Sequence, residues 1–257
     1  MRMRTRRART SERPSTAPRR MVARRSAYQR TLGVGLVITD RLYRRAAAAI
    51  FRTLTTGARE DLVRLGSRYG GWWVPTSVLT PGAVAYCAGA GEDVTFDLAL
   101  LGYGVRVTTF DPTPRSVAYV RSLRIEDERF RFVPVGWWND DTEIDVYAPR
   151  DPAHVSYSAH DLQATGRSIT VPVRRVVTLA RELGDAKLDI IKMDIEGAEI
   201  VVIPDILSSG LLPRVLCVEF DKVRPLRDVI SLIRRIKRVG LRPTRSEGRN
   251  VTFVREP

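Results

Sequence analysis

The chain has 257 residues, of which 44% are hydrophobic and 28% charged, and its mean hydropathy is −0.17. That is enough apolar material for one medium α/β domain or two small ones, and it excludes a wholly disordered chain. The formal charge of +14 suggests a nucleic-acid binder, but residues 1–30 hold eleven Arg against one Glu and carry +10 of it, leaving +4 for the rest. No apolar run approaches the roughly 18 residues of a membrane-spanning helix, so an integral membrane protein is not expected.

Residues 1–30, rich in Arg, Ser, Thr and Pro, have no apolar periodicity and are expected to be a disordered basic tail. Such a tail is dispensable, or offers weak contact to a polyanion or a membrane surface; Met21 is an alternative start. No secretory signal is expected, since no apolar core follows the charges. Residues 31–80 read as an N-terminal helical extension. Leu42, Ala46, Ala49, Ile50 and Leu54 recur at helical spacing between arginines, Leu62, Val63 and Leu65 continue the helical character, and Gly70 and Gly71 end it. Trp72 and Trp73 are expected to pack this extension onto the domain that follows.

From residue 81 to 257 short apolar runs alternate with helical patterns, the mark of βα units feeding a parallel sheet. Strands are predicted at 83–88, 105–110, 130–135, 188–193 and 215–220, with helices at 93–101, 114–123, 195–207 and 226–239. Residues 241–244 and 251–254, around Ser246-Glu247-Gly248-Arg249, read as a closing hairpin. Residues 137–180 read as an insertion with extra strands at 144–147 and 169–173. Cys87 and Cys217 sit in apolar runs without metal-ligand or CxxC spacing, so they read as buried thiols of a reducing, cytoplasmic compartment.

Three segments could carry chemistry. In Ala88-Gly89-Ala90-Gly91-Glu92-Asp93 a strand runs into a glycine turn, where Gly89 and Gly91 can take positive φ and let a ligand approach the backbone. The third glycine of a dinucleotide fingerprint is replaced by Val94, and Glu92 and Asp93 would repel a pyrophosphate, so a ligand with a cationic or uncharged portion fits better than NAD. Asp111 ends the next strand 22 residues after Gly89, where a carboxylate accepts ribose hydroxyls; its other reading is a helix cap. Finally, Asp194 ends an apolar strand and is followed by Glu196 and Glu199, a concentration of carboxylates at the edge where parallel sheets bind ligands. Glu199 also suits a first helical turn for purely structural reasons.

Lys192-Met193-Asp194-Ile195-Glu196-Gly197-Ala198-Glu199 resembles the K-x-D-I/V-E-G-x-E signature of the FkbM family of S-adenosylmethionine-dependent methyltransferases, and Gly89-Ala90-Gly91 and Phe110-Asp111-Pro112 agree in order and spacing. The resemblance covers about residues 81–254. It implies a class I methyltransferase (Rossmann-like) fold, a doubly wound, mostly parallel sheet with an antiparallel last strand. It also implies S-adenosyl-L-methionine as cofactor and transfer of its methyl group to a hydroxyl of a sugar or secondary metabolite. Many members carry an acid in the strand before the glycine loop; here Tyr86-Cys87 stand there, and Glu92 or Asp93 is expected to substitute.

Methyl transfer to an alcohol asks for good positioning and a general base. Asp194 is the first candidate for that base and Glu196 the second. Gly89, Gly91, Glu92, Asp93 and Asp111 are the cofactor-binding set, with Trp137 or Trp138 beside the adenine. His154, alongside His160 in the insertion, and Glu219 with Asp221 are candidate acceptor-binding residues. Arg234, Arg235, Lys237 and Arg238 read as a solvated helix face. No metal, no specific nucleic acid and a small hydroxylated acceptor are expected. Two other readings stay open: a nicotinamide-dependent oxidoreductase on a similar sheet, and a non-catalytic polyanion binder using the tail.

Overall fold

In the computed structural model, residues 40–55, 59–150, 157–159, 165–220 and 226–255 are described. The expected basic tail, His154, His160 and Asp221 lie outside them. The five predicted parallel strands are β3 (Val84–Ala88), β4 (Arg106–Phe110), β5 (Phe130–Val133), β9 (Ile190–Met193) and β10 (Val215–Glu219). The closing hairpin is β11 (Leu241–Glu247) and β12 (Asn250–Arg255). Together they make one seven-stranded sheet in the order β11-β12-β10-β9-β3-β4-β5, in which β12 runs antiparallel to both its neighbours. This is the doubly wound order with a reversed last strand that the resemblance implies. The chain leaves β3 toward β4 and β5 and later returns on its other side to β9 and β10, so the order reverses between β3 and β9. Ligands bind at that crevice, outside the carboxyl ends of the strands.

Two-residue periodicity divides β3 between two cores. Tyr86 and Ala88 face a layer formed with α1 (Asp40–Leu54), α4 (Val176–Leu183), α5 (Glu199–Ser209) and α6 (Leu226–Arg238). Ala85 and Cys87 face the other layer, where α2 (Thr95–Leu101) supplies Phe96 and Leu100. Every residue of β3 and β9 is buried, which is why these strands read as continuous apolar runs. Between β4 and β5, α3 (Pro114–Ser122) packs Val120 against Ala90 and Val94.

The structure corrects the expected helical character at Leu62, Val63 and Leu65. They form β1 (Leu62–Leu65), paired antiparallel with β2 (Trp72–Pro75), Leu65 opposite Trp72. The alternation of Val63, Arg64 and Leu65 and the β-prone Trp-Trp-Val partner override a weak helical spacing. At the turn a Cβ on Gly71 would meet the carbonyl of Ser67 at 2.4 Å, so only glycine closes it. Nor do the tryptophans hold the N-terminal helix. Phe51 of α1 stacks on Phe220 at 5.2 Å on one face, whereas Trp72 lies in the opposite core with Leu65 and Phe96. Trp73 donates through Nε1 to Glu247 at 2.9 Å, and the Arg245 guanidinium lies 4.5 Å from its ring centre, so the β1–β2 hairpin docks onto the β11–β12 hairpin.

The insertion forms a second sheet of β6 (Gly136–Trp137), β7 (Thr142–Tyr147) and β8 (Ser168–Arg174) in the order β6-β8-β7. It then continues into α4, a helix absent from the sequence reading, closed by Gly184 at φ 78°. Helix α5 starts at Glu199 rather than near Ile195. Glu196 and Gly197 take φ of 56° and 103°, which interrupts the helix and leaves 194–198 as a loop at the sheet's edge. Among the described residues no helix is long and apolar enough to cross a membrane.

Candidate active site

The loops that leave β3, β4, β9 and β10 surround a cleft of about 680 Å³ at the carboxyl edge of the sheet, roofed by residues of the β6-β8-β7 sheet and of the two hairpins. That volume lies within the few hundred to 1,000 Å³ of small-molecule sites.

The glycine loop is the tightest part. Gly89 (φ 83°) donates its N–H to the carbonyl of Phe110 at 2.9 Å, and a Cβ on it would lie 1.8 Å from the carbonyl oxygen of Asp194. Asp194 in turn donates its N–H to the carbonyl of Ala88 at 3.2 Å. Beneath the loop Lys192, 5% exposed, donates its ammonium to the carbonyls of Gly89 (2.7 Å) and Ala88 (3.1 Å). Burial opposes its charge, but Asp194, Asp97, Cys87 and Glu219 outweigh it, so its pKa lies above the ordinary value. Asp97, buried in α2 and hydrogen-bonded to Thr109, is raised by burial against the pull of Lys192. The glycine loop and the Asp194 loop are therefore one unit with a buried ammonium at its centre.

Asp111 sits at the lip of the cleft, 7% exposed, and accepts from the N–H of Gly91 (3.1 Å) and from the N–H and hydroxyl of Thr113 (2.9 and 2.7 Å). It is not the N-cap of α3, which is Thr113 without a side-chain cap bond. Asp111 instead ties β4 to the glycine turn.

Glu92 and Asp93 line the cleft, but both carboxylates are already engaged. Arg115 forks onto Glu92 at 2.7 and 2.8 Å. Asp93 accepts from Ser67, from the hydroxyl of Thr95 and from its N–H. These hydrogen bonds outweigh burial and hold its pKa low. Tyr86 and Cys87 do not line the cleft: the Tyr86 hydroxyl donates to Asp185 at 2.7 Å, and both residues are buried. Trp137 lines it at 3% exposure, its ring 5.3 Å from Phe110, and its indole N–H has no hydrogen-bond partner. Trp138 lies beside it.

The acidic end is built by Asp194, Glu196 and Glu219. Asp194 is raised by burial despite Lys192, and the neighbouring Glu196 adds to the rise. Glu219 is pushed up to about 8, first by burial and then by Asp194, although Arg249 binds it at 2.8 Å. Glu199, fully buried, accepts from the N–H of Ile195 at 3.0 Å and is pushed up to about 8 by burial. It does not line the cleft; it braces the Asp194 loop from below. The hydroxyl of Ser158 donates to the carbonyl of Glu196 at 2.8 Å, so the insertion touches this loop.

The structure thus brings Gly89, Gly91, Glu92, Asp93, Asp111, Trp137, Asp194, Glu196 and Glu219 around one cleft, while His154 lies outside the described residues. Sequence reasoning gave no role to Lys192, Arg249 or Tyr69. A lysine inside an apolar strand was a visible signal; Arg249 in a turn and Tyr69 in a hairpin loop carried none.

Residues 84–238 match the methyltransferase FkbM domain. The chain belongs to this family. The FkbM match contains the glycine loop, Asp111, Asp194 and Glu219 but neither the Tyr69 loop nor Arg249. Among curated proteins, "Probable methyltransferase-like protein 24" of Rattus norvegicus is 26% identical over 155 residues, which are 60% of this chain and 36% of that protein. The chain therefore matches little more than a third of that relative's length. Among solved structures, the Methanococcus jannaschii fibrillarin pre-rRNA processing protein aligns with a TM-score of 0.40 at 9% identity, covering 69% of this chain and 67% of that one. A TehB-like SAM-dependent methyltransferase from Corynebacterium glutamicum aligns with a TM-score of 0.34 at 14% identity, covering 68% and 82%.

Proposed function

We propose that this FkbM domain transfers a methyl group from S-adenosylmethionine to a hydroxyl oxygen of a small acceptor, a sugar or a secondary metabolite. The observation that carries the reading is the lock between Gly89 and Asp194. It fixes a ligand-approachable backbone turn against the carboxylate that ends the neighbouring strand.

The residues present fit such a donor. Gly89 and Gly91 expose backbone at positive φ, Asp111 offers a carboxylate at the lip, and Phe110 and Trp137 make an apolar wall with an unsatisfied indole N–H. The acidic lining suits a cation and disfavours a pyrophosphate. Bound there, S-adenosylmethionine supplies a methyl group activated by its sulfonium. Asp111 would hold the ribose hydroxyls, Trp137 would border the base, and Asp93 would add negative charge beside the loop, the charge of Glu92 being balanced by Arg115. An acceptor oxygen held beside that methyl group would have a proton to lose. Its proton passes to Asp194, with Glu196 as the second candidate. Most of the acceleration comes from holding donor and acceptor in line. Ile144 and Val146 of the β6-β8-β7 sheet, with Tyr157 of the same insertion, shield that end of the cleft from water.

Calorimetric titration of the whole chain with S-adenosylmethionine and S-adenosylhomocysteine tests the reading, with NAD as the rival ligand. Binding in the micromolar range that weakens at least tenfold in Asp111→Asn supports it. Tighter binding of NAD than of either adenosyl compound overturns it and favours a nicotinamide enzyme.

A further inference from the structure

Tyr69 is 90% exposed and still lines the cleft. Single exposed aromatics are common on protein surfaces. What sets Tyr69 apart is the loop that carries it, between β1 and β2, which is fastened on both flanks. On one flank Ser67 donates its hydroxyl to Asp93 of the glycine loop and accepts from the N–H groups of Tyr69 and Gly70 at 3.0 and 2.8 Å. The approach is so close that a Cβ on Gly70 would lie 2.7 Å from the Asp93 carboxylate. On the other flank Arg64 binds Glu247 at 3.1 Å and also holds the carbonyls of Ser67 and Arg68 at 2.7 and 3.0 Å. The loop therefore spans the cleft's rim from the glycine loop to the β11–β12 turn with its backbone held, and the Tyr69 ring is left bare at the mouth.

Beyond that ring the cleft is polar. The β11–β12 turn lies against the end of β10, where Phe220 donates its N–H to the carbonyl of Arg249 at 3.1 Å and Asn250 stands opposite Glu219. Asp194, Glu219 and Asn250 all line the cleft, and the two acids are near enough to act on the Tyr69 phenol. A bare aromatic face thus stands beside carboxyl and amide groups that accept hydrogen bonds. An apolar acceptor would cover those groups without pairing them, which is costly. A cationic acceptor would bring a second positive charge into a cleft that must also take a sulfonium. A sugar ring meets both demands, since one face of a pyranose packs its C–H groups on an aromatic ring while the hydroxyls at its edge donate to carboxylates and amides. A loop already held in place also spares the cost of ordering the aromatic on binding.

We propose that Tyr69 is a specificity-determining residue, the stacking platform for a pyranose ring of the acceptor, set at the cleft's mouth by the β1–β2 loop. The proposal rests on the methyltransferase reading for calling that sugar the acceptor, and it narrows the acceptor from any small hydroxylated molecule to a sugar. The Tyr69 loop and the Arg249-Asn250 turn both lie outside residues 84–238, so this platform is an addition to the matched FkbM domain.

The test is saturation-transfer NMR on the full chain in the presence of S-adenosylhomocysteine. The probes are methyl α-D-glucopyranoside, methyl α-D-mannopyranoside and methyl α-L-rhamnopyranoside, with cyclohexanol and choline as apolar and cationic rivals. Ring C–H protons of at least one glycoside should receive saturation. Its dissociation constant should rise about tenfold in Tyr69→Ala, the weight of one aromatic contact, and should hold in Tyr69→Phe and Tyr69→Trp. The melting temperature of Tyr69→Ala should match that of the native chain, because so exposed a ring supports little of the fold. A Tyr69→Ala chain that loses stability together with affinity makes the residue structural and overturns the proposal. So does saturation of none of the glycosides, equal affinity in Tyr69→Ala, or tighter binding of cyclohexanol or choline. Calorimetry with S-adenosylhomocysteine keeps the two readings apart. Adenosyl binding without glycoside binding sinks only the sugar, whereas Tyr69-dependent glycoside binding in a chain that takes no adenosyl ligand keeps the platform and sinks the methyltransferase.

Discussion

A Cβ added to Gly89 would lie 1.8 Å from the main-chain oxygen of Asp194, closer than any real contact allows. Gly82, at nearly the same φ, has nothing within 4 Å of its added Cβ. The two glycines therefore separate two costs. Gly82→Ala should show only the left-handed backbone penalty of about 1–2 kcal/mol, or roughly 2–8 °C of melting temperature for a domain this size. Gly89→Ala should cost clearly more and weaken S-adenosylhomocysteine binding at least tenfold, because the Asp194 loop must move. Equal melting temperatures and equal affinities for the two variants would show that the loops are not locked.

Lys192 carries the buried positive charge under that lock. Lys192→Met removes two hydrogen bonds, to the carbonyls of Ala88 and Gly89, and takes from Asp97 and from Asp194 the cation that opposes the effect of their burial. Leaving a buried carbonyl without its donor costs about 1–3 kcal/mol, and a urea midpoint measures the loss. Lys192→Arg should not rescue, since a planar guanidinium cannot replace a compact ammonium among main-chain oxygens. Native-like stability in Lys192→Met would mean that the lysine is dispensable to the loop.

Stability should fall as pH rises from about 4.5 to 8. Glu199 and Glu219 are both pushed up to about 8 by burial, so the folded chain holds their protons more tightly than the unfolded chain does. Their contribution is complete below the unfolded carboxyl value and is lost as pH passes through the folded one. Asp61, Asp93, Asp127, Asp141 and Glu247 are shifted down and act oppositely, at the acid end. Melting curves between pH 5 and 9 should therefore slope downward, and Glu199→Gln should flatten the slope, since its amide oxygen still accepts from Ile195. An unchanged slope in that variant would assign the effect to other groups.

The parallel strands were legible because burial on both faces makes them continuous apolar runs, and the residues that line the candidate cleft were legible because its acids and glycines cluster at strand ends. Segments whose structure depends on a distant partner were not. Leu62 to Leu65 become a strand only when Trp72 and Trp73 pair with them, and Trp73 is held by Glu247 and Arg245 from the far end of the chain. Helix α5 loses its expected first turn because Glu196 and Gly197 adopt positive φ, a conformation that Glu196 gives no warning of. The partners of Glu92 and Asp93 were hidden for the same reason: Arg115 lies 23 residues from one, and Ser67 lies 26 from the other in a segment read as helical.

Tyr86 stands with Cys87 in the strand where the family resemblance leads one to expect an acid, and its surroundings indicate what a substitution there does. Its hydroxyl donates to Asp185, which is buried and also held by Arg106, and the side chain faces the core rather than the cleft. Burial and the Asp185 hydrogen bond hold the phenol well above its ordinary pKa, so it stays a donor. Tyr86→Phe leaves Asp185 with one partner fewer in a buried position and should cost about 1–3 kcal/mol. It should leave the affinity for S-adenosylhomocysteine within about twofold, a difference of roughly 0.4 kcal/mol. Stability measured by urea and affinity measured by calorimetry on the same variant decide the point: a tenfold loss of affinity without loss of stability would place the Tyr86 hydroxyl in the ligand site after all.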